Sequence, residues 1–411
     1  MTSVASRQVG MSEAGAARIE PAAMLVIATI APLLGETGVQ THSRTLLSAF
    51  TSARVRCSLQ TPLKAGTIWV PIFAVRPLFL SRINKTWSTW WLRHWHEMAL
   101  RRQLIKLAER DSISAIICQC PVSARAALDA RDQLRGHFPI AMACHFNYSE
   151  ATEYRDKGEL ASPRFFEHVL AMEKDVMQRV DRVIYVSNWA RNVVENERNI
   201  TPKQSLVIWN GVDRDVPATT LKRADIGLAA DELALISVGT LEPRKNQLAL
   251  VDFFAKVAAK HPNTKLVLVG DGISRGRIEA RIGELGLNNR VILLGFRKDV
   301  AALLPLADIY VHASLLENCP IVLLEAARAC LPIAAAPAGG VPELLEKLGG
   351  TALDSADARS IEDLLSSVEA RRKAGAIARQ RFEQHFTRDV MIAQYARALL
   401  VDPIPQGGVS A

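Results

Sequence analysis

The chain has 411 residues, 49% hydrophobic and 22% charged, enough for two buried cores and too apolar for a disordered or fibrous protein. No apolar run reaches the about eighteen residues a membrane-spanning helix needs, and residues 1–23, rich in Ala, Ser and Gly without an apolar stretch, read as a disordered tail rather than a secretory signal. Six cysteines without a CxxC pair predict free thiols in a reducing cytoplasm and argue against a zinc site, while the net charge of +8 points to an anionic partner without choosing among nucleic acid, membrane surface and substrate.

Residues 24–31 (MLVIATIA) form the first predicted strand. The turn Gly35-Glu36-Thr37-Gly38-Val39-Gln40-Thr41-His42 then opens a helix, where backbone N–H groups can face a phosphate. Residues 84–110 hold Trp87, Trp90, Trp91 and Trp95 among Lys85, Arg93, Arg101, Arg102 and Lys106. Such a basic, Trp-rich helix can lie in a membrane interface, or its rings can cover the core of the first domain. Strands are predicted at 114–118, 140–145, 183–187 and 206–209, the second ending in His145 beside Asn147. A lone histidine there reads either as structural or as a cleft residue.

Residues 210–228, with Asn210-Gly211-Val212-Asp213 and Pro217, read as a boundary between halves of similar size. The second half carries strands at 233–239, 265–270, 291–294, 309–313 and 333–336, with helices at 247–260, 275–285 and 321–329 between them. Continuous apolar strands alternating with helices predict an α/β fold with doubly wound parallel sheets, whose ligands bind beyond the carboxyl ends of the strands.

Four features of that half stand in order. After the first strand, past Gly239, Arg244 and Lys245 place two adjacent cations before a helix, suited to gripping phosphate oxygens unless they are only a solvated loop end. Gly270 and Gly272 close the next strand, where a backbone can approach a ligand, though the spacing is no dinucleotide fingerprint. In Glu317-Asn318-Cys319-Pro320-Ile321-Val322-Leu323-Leu324-Glu325 two carboxylates flank a strand-to-helix turn. Pro320 suits the first helical position, and the free amides after it suit an anion. Glu325, among apolar neighbours, calls for a partner, where an ordinary helical glutamate would charge an exposed face. Gly339 and Gly340 form the last turn, which either caps a nucleotide base or starts a helix.

Together these segments resemble the family-4 retaining glycosyltransferases of the GT-B fold, over residues 24 to about 400 and most specifically over 238–345. The resemblance implies two Rossmann-like domains facing across a cleft. An acceptor-binding domain spans 24–212, a nucleotide-sugar-binding domain spans 213–386, and a C-terminal helix, 387–402, crosses back onto the first. Glu317 and Glu325 match the family's paired-glutamate motif, and Arg244 and Lys245 match its diphosphate-binding cations. Gly38 matches the glycine-rich turn and His145 the histidine near the transferred sugar. Asn318-Cys319 stands where Phe-Gly is usual, and Lys245-Asn246 where Lys-Gly is usual.

The expected reaction is retaining, metal-independent transfer from a nucleoside-diphosphate sugar to a glycan or lipid-linked acceptor, in polysaccharide or glycolipid biosynthesis. Arg244, Lys245, Glu317 and His145 are its catalytic candidates, and Gly38, Gly239, Gly270, Gly272, Asn318, Cys319, Pro320, Ile321, Val322 and Glu325 its donor-binding candidates. No cofactor is expected. The Asp213-Arg214-Asp215 triplet reads as hinge rather than metal ligand. The scattered arginines do not form the stripe that nucleic acid requires. The expected location is the cytoplasm, with peripheral contact to an anionic membrane through 84–110. A sugar-nucleotide epimerase or phosphorylase on the same fold, and a silent sugar-nucleotide-binding scaffold, are the rival readings.

Overall fold

A computed structural model describes residues 23–31 and 38–399. The expected tail and the Gly35–Thr37 part of the glycine-rich turn lie outside the described residues. Among the described residues twelve strands form two six-stranded sheets. The first holds β1 (Met24–Ala28), β2 (Cys57–Gln60), β3 (Ile113–Cys118), β4 (Ile140–Cys144), β5 (Arg182–Tyr185) and β6 (Ser205–Val207), ordered β2-β1-β3-β4-β5-β6. The second holds β7 (Leu233–Val238), β8 (Thr264–Val269), β9 (Val291–Gly295), β10 (Ile309–His312), β11 (Ile333–Ala335) and β12 (Thr351–Ala352), ordered β12-β11-β10-β7-β8-β9. Every pairing within the sheets is parallel.

Both faces of each sheet are covered, which is why the central strands read as unbroken apolar runs. One face of the first sheet buries Val26, Ile116, Met142 and Val183; the other buries Leu25, Ile27, Ile117 and Ile184. In the second sheet Ile236, Val267 and Tyr310 face one core, and Leu235, Leu266 and Val311 the other. The helix Arg388–Leu399 lies against the first sheet, where Met391, Ile392, Tyr395 and Leu399 join the core of Leu25 and Ile27.

Strand order reverses between β1 and β3 and again between β7 and β10, and each reversal opens a crevice at the strands' carboxyl ends. The two crevices face each other. A Cβ on Gly38, at the start of helix Gly38–Ser52, would stand 3.9 Å from Ile321 Cδ1, at the start of helix Ile321–Arg328. Loops of the halves also bond directly. Ser187 Oγ donates to Asn318 Oδ1 at 2.5 Å, Asn318 Nδ2 to the Phe146 carbonyl at 3.0 Å, and Asn210 Nδ2 to the Cys319 carbonyl at 3.1 Å. The Glu343 carboxylate accepts from the backbone N–H groups of Asn188 and Trp189, capping helix Asn188–Asn192 from the other half.

Gly270 adopts φ 138°, and a Cβ there would sit 2.0 Å from the Gly239 carbonyl oxygen. Gly276, inside helix Arg275–Glu284, faces open space. Gly270→Ala therefore lowers stability by about 1–3 kcal/mol or more, whereas Gly276→Ala raises it by about 0.5–1 kcal/mol. Thermal unfolding of the two variants against the parent checks the opposite signs.

Candidate functional site

The site is built from two loops at the reversal of the second sheet. β7 ends at Val238, and the loop after it makes one tight turn, Pro243–Lys245, before helix Gln247–Lys260. β10 ends at His312, and its loop runs to the helix Ile321–Arg328. The Leu315 N–H donates to the Arg244 carbonyl at 2.9 Å, so the loops are pinned together.

This brings Glu317 between the two cations. Its Oε1 accepts from Lys245 Nζ, from Arg244 at 3.1 Å and from Ser314 Oγ at 3.0 Å. Arg244 also donates to the Leu316 carbonyl and to Glu242. Three donors on one oxygen leave Oε2 without a protein donor among the described residues. Glu317 is 8% exposed. Burial pushes its carboxyl up, but Lys245 and Arg244 outweigh that and hold it below the usual range.

Pro320 has ψ 114° and caps the helix from outside, one residue earlier than the first helical position expected for it, because its extended ψ precedes the helical turn. No side chain caps this end, so its first amides stay free for an anion. One turn into the helix, Glu325 lines the same cleft, and its carboxylate makes no hydrogen bond or ion pair among the described residues. Burial raises its carboxyl above the ordinary value, against the weaker pull of Arg328.

A cleft of about 990 Å³ joins these groups. Gly38, His145, Gly239, Arg244, Lys245, Glu317, Asn318, Cys319, Pro320, Ile321, Val322 and Glu325 all line it. Gly270 and Gly272 do not. They pack beneath the loop, where a Cβ would meet the carbonyl oxygens of Gly239 and Leu241. Asn318 lines the cleft with its side chain bonded to Ser187 and Phe146, so it also ties the halves together. Within the second half, the Gly340 N–H donates to the Glu317 carbonyl at 2.8 Å. In the triplet 213–215, Asp213 pairs with Arg388 at 2.7 Å.

The first half adds residues that sequence reasoning passed over. Gln119 follows β3 at the reversal of its sheet, and the strand-end rule that singled out His145 applies equally to it. Glu150, Glu153, Tyr154 and Lys157, on or just after helix Glu150–Asp156, face the cleft with Arg76 and His96. Glu150 pairs with the buried Arg93. Glu153 accepts from the Asn147 N–H at 2.9 Å, and burial raises its carboxyl.

Because the folded Glu317 carboxyl titrates below its unfolded value, its pairing contributes fully above pH about 4.5 and is lost as pH falls through the folded value. The Tm difference between wild type and Glu317→Gln is accordingly expected to stay constant above pH about 4.5 and to shrink as pH falls below it. Melting curves from acid to neutral pH measure it.

The family descriptions matching this chain are "Glycosyltransferase Family 4" over residues 37–216 and "Glycosyl transferases group 1" over 219–385. Among curated relatives, the N-acetyl-alpha-D-glucosaminyl L-malate synthase of Bacillus anthracis is 28% identical over 229 residues, 53% of this chain and 59% of that protein. The UDP-Gal:alpha-D-GlcNAc-diphosphoundecaprenol alpha-1,3-galactosyltransferase of Escherichia coli is 32% identical over 164 residues, 37% of this chain and 41% of that protein. The chain thus spans less than two thirds of either relative's length. Anabaena Alr3699/HepE in complex with UDP and glucose shares the fold at TM-score 0.67 and 19% identity, over 92% of this chain and 99% of that one. With consecutive family matches on its two halves and the two facing parallel sheets of GT-B structures, the chain belongs to the family-4 glycosyltransferases.

Proposed function

We propose that this protein transfers a glycosyl group from a nucleoside-diphosphate sugar to a hydroxyl of a glycan or lipid-linked acceptor, with retention of configuration and without a metal ion. The observation that carries this reading is the convergence of Arg244, Lys245, Glu317, Glu325 and an uncapped helix start on one cleft wall.

In this reading the donor diphosphate lies between the helix start and the two cations. Cleavage of the bond from the anomeric carbon to the phosphate oxygen sends the electron pair to that oxygen. Fixed N–H groups and cations stabilise the charge as it develops. The acceptor oxygen bonds to the anomeric carbon on the same face, and its proton passes to the departing phosphate. Glu317 Oε2 accepts from a hydroxyl of the transferred sugar, while Oε1 keeps the cations aimed. Glu325 takes the ribose hydroxyls, which supply the partner its carboxylate lacks. The 213–386 segment is then the donor domain. The acceptor lies against 24–212, near Glu150, Glu153, Tyr154 and His145.

That lobe opens onto an apolar surface, which favours a lipid-linked acceptor. Leu63 lines the cleft and is 58% exposed, and nearby segments expose Ile68, Val70, Phe79, Ile83, Trp87 and Trp90 beside Lys64, Arg82 and Lys85. Trp91 is partly buried, its Nε1 donating to the Ile72 carbonyl at 2.8 Å, so the Trp-rich helix Lys85–Ala108 divides its rings between core and surface. No helix among the described residues is long and apolar enough to cross a membrane. We read this face as resting on the membrane where acceptor is presented. The homologous galactosyltransferase acts, by its name, on a diphosphoundecaprenol-linked sugar.

Three experiments test these readings. A thermal-shift screen of nucleoside diphosphates and their sugars is expected to give one base and one sugar a clear shift. Lys245→Ala and Glu317→Ala should then each reduce transfer by about 100-fold or more while the protein stays folded. A Lys245→Ala enzyme of wild-type rate removes the assignment. For the surface, wild type is expected to sediment with anionic vesicles at low salt, and a Trp87→Ser, Trp90→Ser double variant to stay in solution. Wild type fully recovered in the supernatant leaves the membrane reading without support.

A further inference from the structure

Behind the cleft, four side chains from separate parts of the chain form a hydrogen-bonded line. The Tyr395 hydroxyl, on helix Arg388–Leu399, lies 3.3 Å from His42 Nε2. His42 Nδ1, on helix Gly38–Ser52, lies 2.8 Å from Gln119 Oε1. The same oxygen lies 3.0 Å from His145 Nε2. Tyr395, His42 and Gln119 are buried, and His145 is partly exposed where it lines the cleft.

The direction of the protons follows from the closed end. Tyr395 is fully buried, and His42 Nε2 is its only hydrogen-bond partner among the described residues, so its O–H donates there. The reverse arrangement would enclose a hydroxyl hydrogen without an acceptor, at a cost of about 1–3 kcal/mol. A neutral imidazole that accepts at Nε2 carries its proton on Nδ1 and gives it to Gln119 Oε1. Gln119 therefore turns its oxygen to both rings, and His145 must bring an N–H at Nε2 to the same atom. Burial keeps both rings neutral, holding His42 down to about 4 and His145, with the further effect of His42, well below its ordinary value. The arrangement leaves Gln119 Nε2 buried without an acceptor among the described residues.

We propose that Gln119 is a positioning residue that locks His145 in the Nε2–H form, so that an unprotonated Nδ1 is left to accept a hydrogen bond from a hydroxyl of the bound sugar. Tyr395 sets the direction through His42. The role toward sugar rests on the function proposed above; the proton arrangement does not.

Nitrogen-15 NMR of histidine-labelled full-length protein reads this directly, with the His145 signals identified by their loss in His145→Gln. The expected wild-type spectrum has an unprotonated Nδ1 and a protonated Nε2 at His145, unchanged from about pH 6 to 8. Gln119→Leu should shift both signals toward the average of the two forms. It should lower kcat roughly ten-fold while donor KM stays within about two-fold, because the diphosphate is held by the other half. Tyr395→Phe, which keeps the packing, should also mix the two forms. A wild-type His145 protonated on Nδ1, or His145 signals that neither variant moves, overturns the proposal. Signals that behave as expected in an enzyme that transfers no sugar would instead count against the proposed function and leave the proton arrangement standing.

Discussion

The carboxylate of Glu317, nearly out of solvent between an ammonium and a guanidinium, is the interaction on which the site depends. A charge so buried is tolerable only when fully paired, and both partners come from the loop after a different strand. That meeting requires β7 and β10 to be neighbours although two strands separate them in sequence, which is what the reversal of strand order provides. Sheet topology therefore determines which loops can share a charge. The next residue, Asn318, spends its side chain on Ser187 and Phe146 of the other half. A single turn thus orients the cations on one side and fastens the facing sheet on the other.

How the charges are distributed follows from the same geometry. All three donors to Glu317 meet one oxygen, so the ammonium and guanidinium are aimed but not consumed. Lysine keeps N–H groups free for a phosphate, and arginine has more than Glu317 and Glu242 occupy. Glu325, on the same wall, has no protein partner among the described residues and is penalised by its burial. An anion at the helix start with hydroxyls beside it would meet both needs at once. On the facing wall the carboxylates are already engaged, Glu150 by Arg93 and Glu153 by Asn147. The asymmetry favours one orientation of a ligand that is anionic at one end and hydroxyl-rich at the other.

Much of this was legible in the sequence, for physical reasons. Strands covered on both faces must be apolar throughout, so the central strands stood out, among them Met24–Ala28, Leu233–Val238 and Thr264–Val269. Cys57–Gln60 and Thr351–Ala352 did not. Both are short edge strands, which bury less and carry little pattern. Arg244, Lys245, Glu317 and Glu325 were legible because charge beside a strand-to-helix turn is conspicuous against apolar neighbours. The contacts of the Asn318 side chain were not legible, since nothing local announced Ser187 and Phe146. The line through His42, Gln119 and Tyr395 joins residues up to 353 positions apart, and no local period encodes such a contact.

The chain's two crossings between the halves explain how that line can matter to the cleft. It passes from the first half to the second near Val212 and returns near Thr387, and those residues form a parallel bridge. Gly211 allows the close approach, since a Cβ there would stand 2.6 Å from the Thr387 carbonyl oxygen. Asn318 and Glu343 of the second half also bond to the first, to Ser187 Oγ and to the Trp189 N–H. Tyr395 follows the returning strand by only two turns of helix and sits in the core of the first half. The segment that completes the hinge therefore also supplies the hydroxyl that orders His42, Gln119 and His145. Every member of that line thus belongs to the first half and its returning helix, on one side of the Val212–Thr387 bridge.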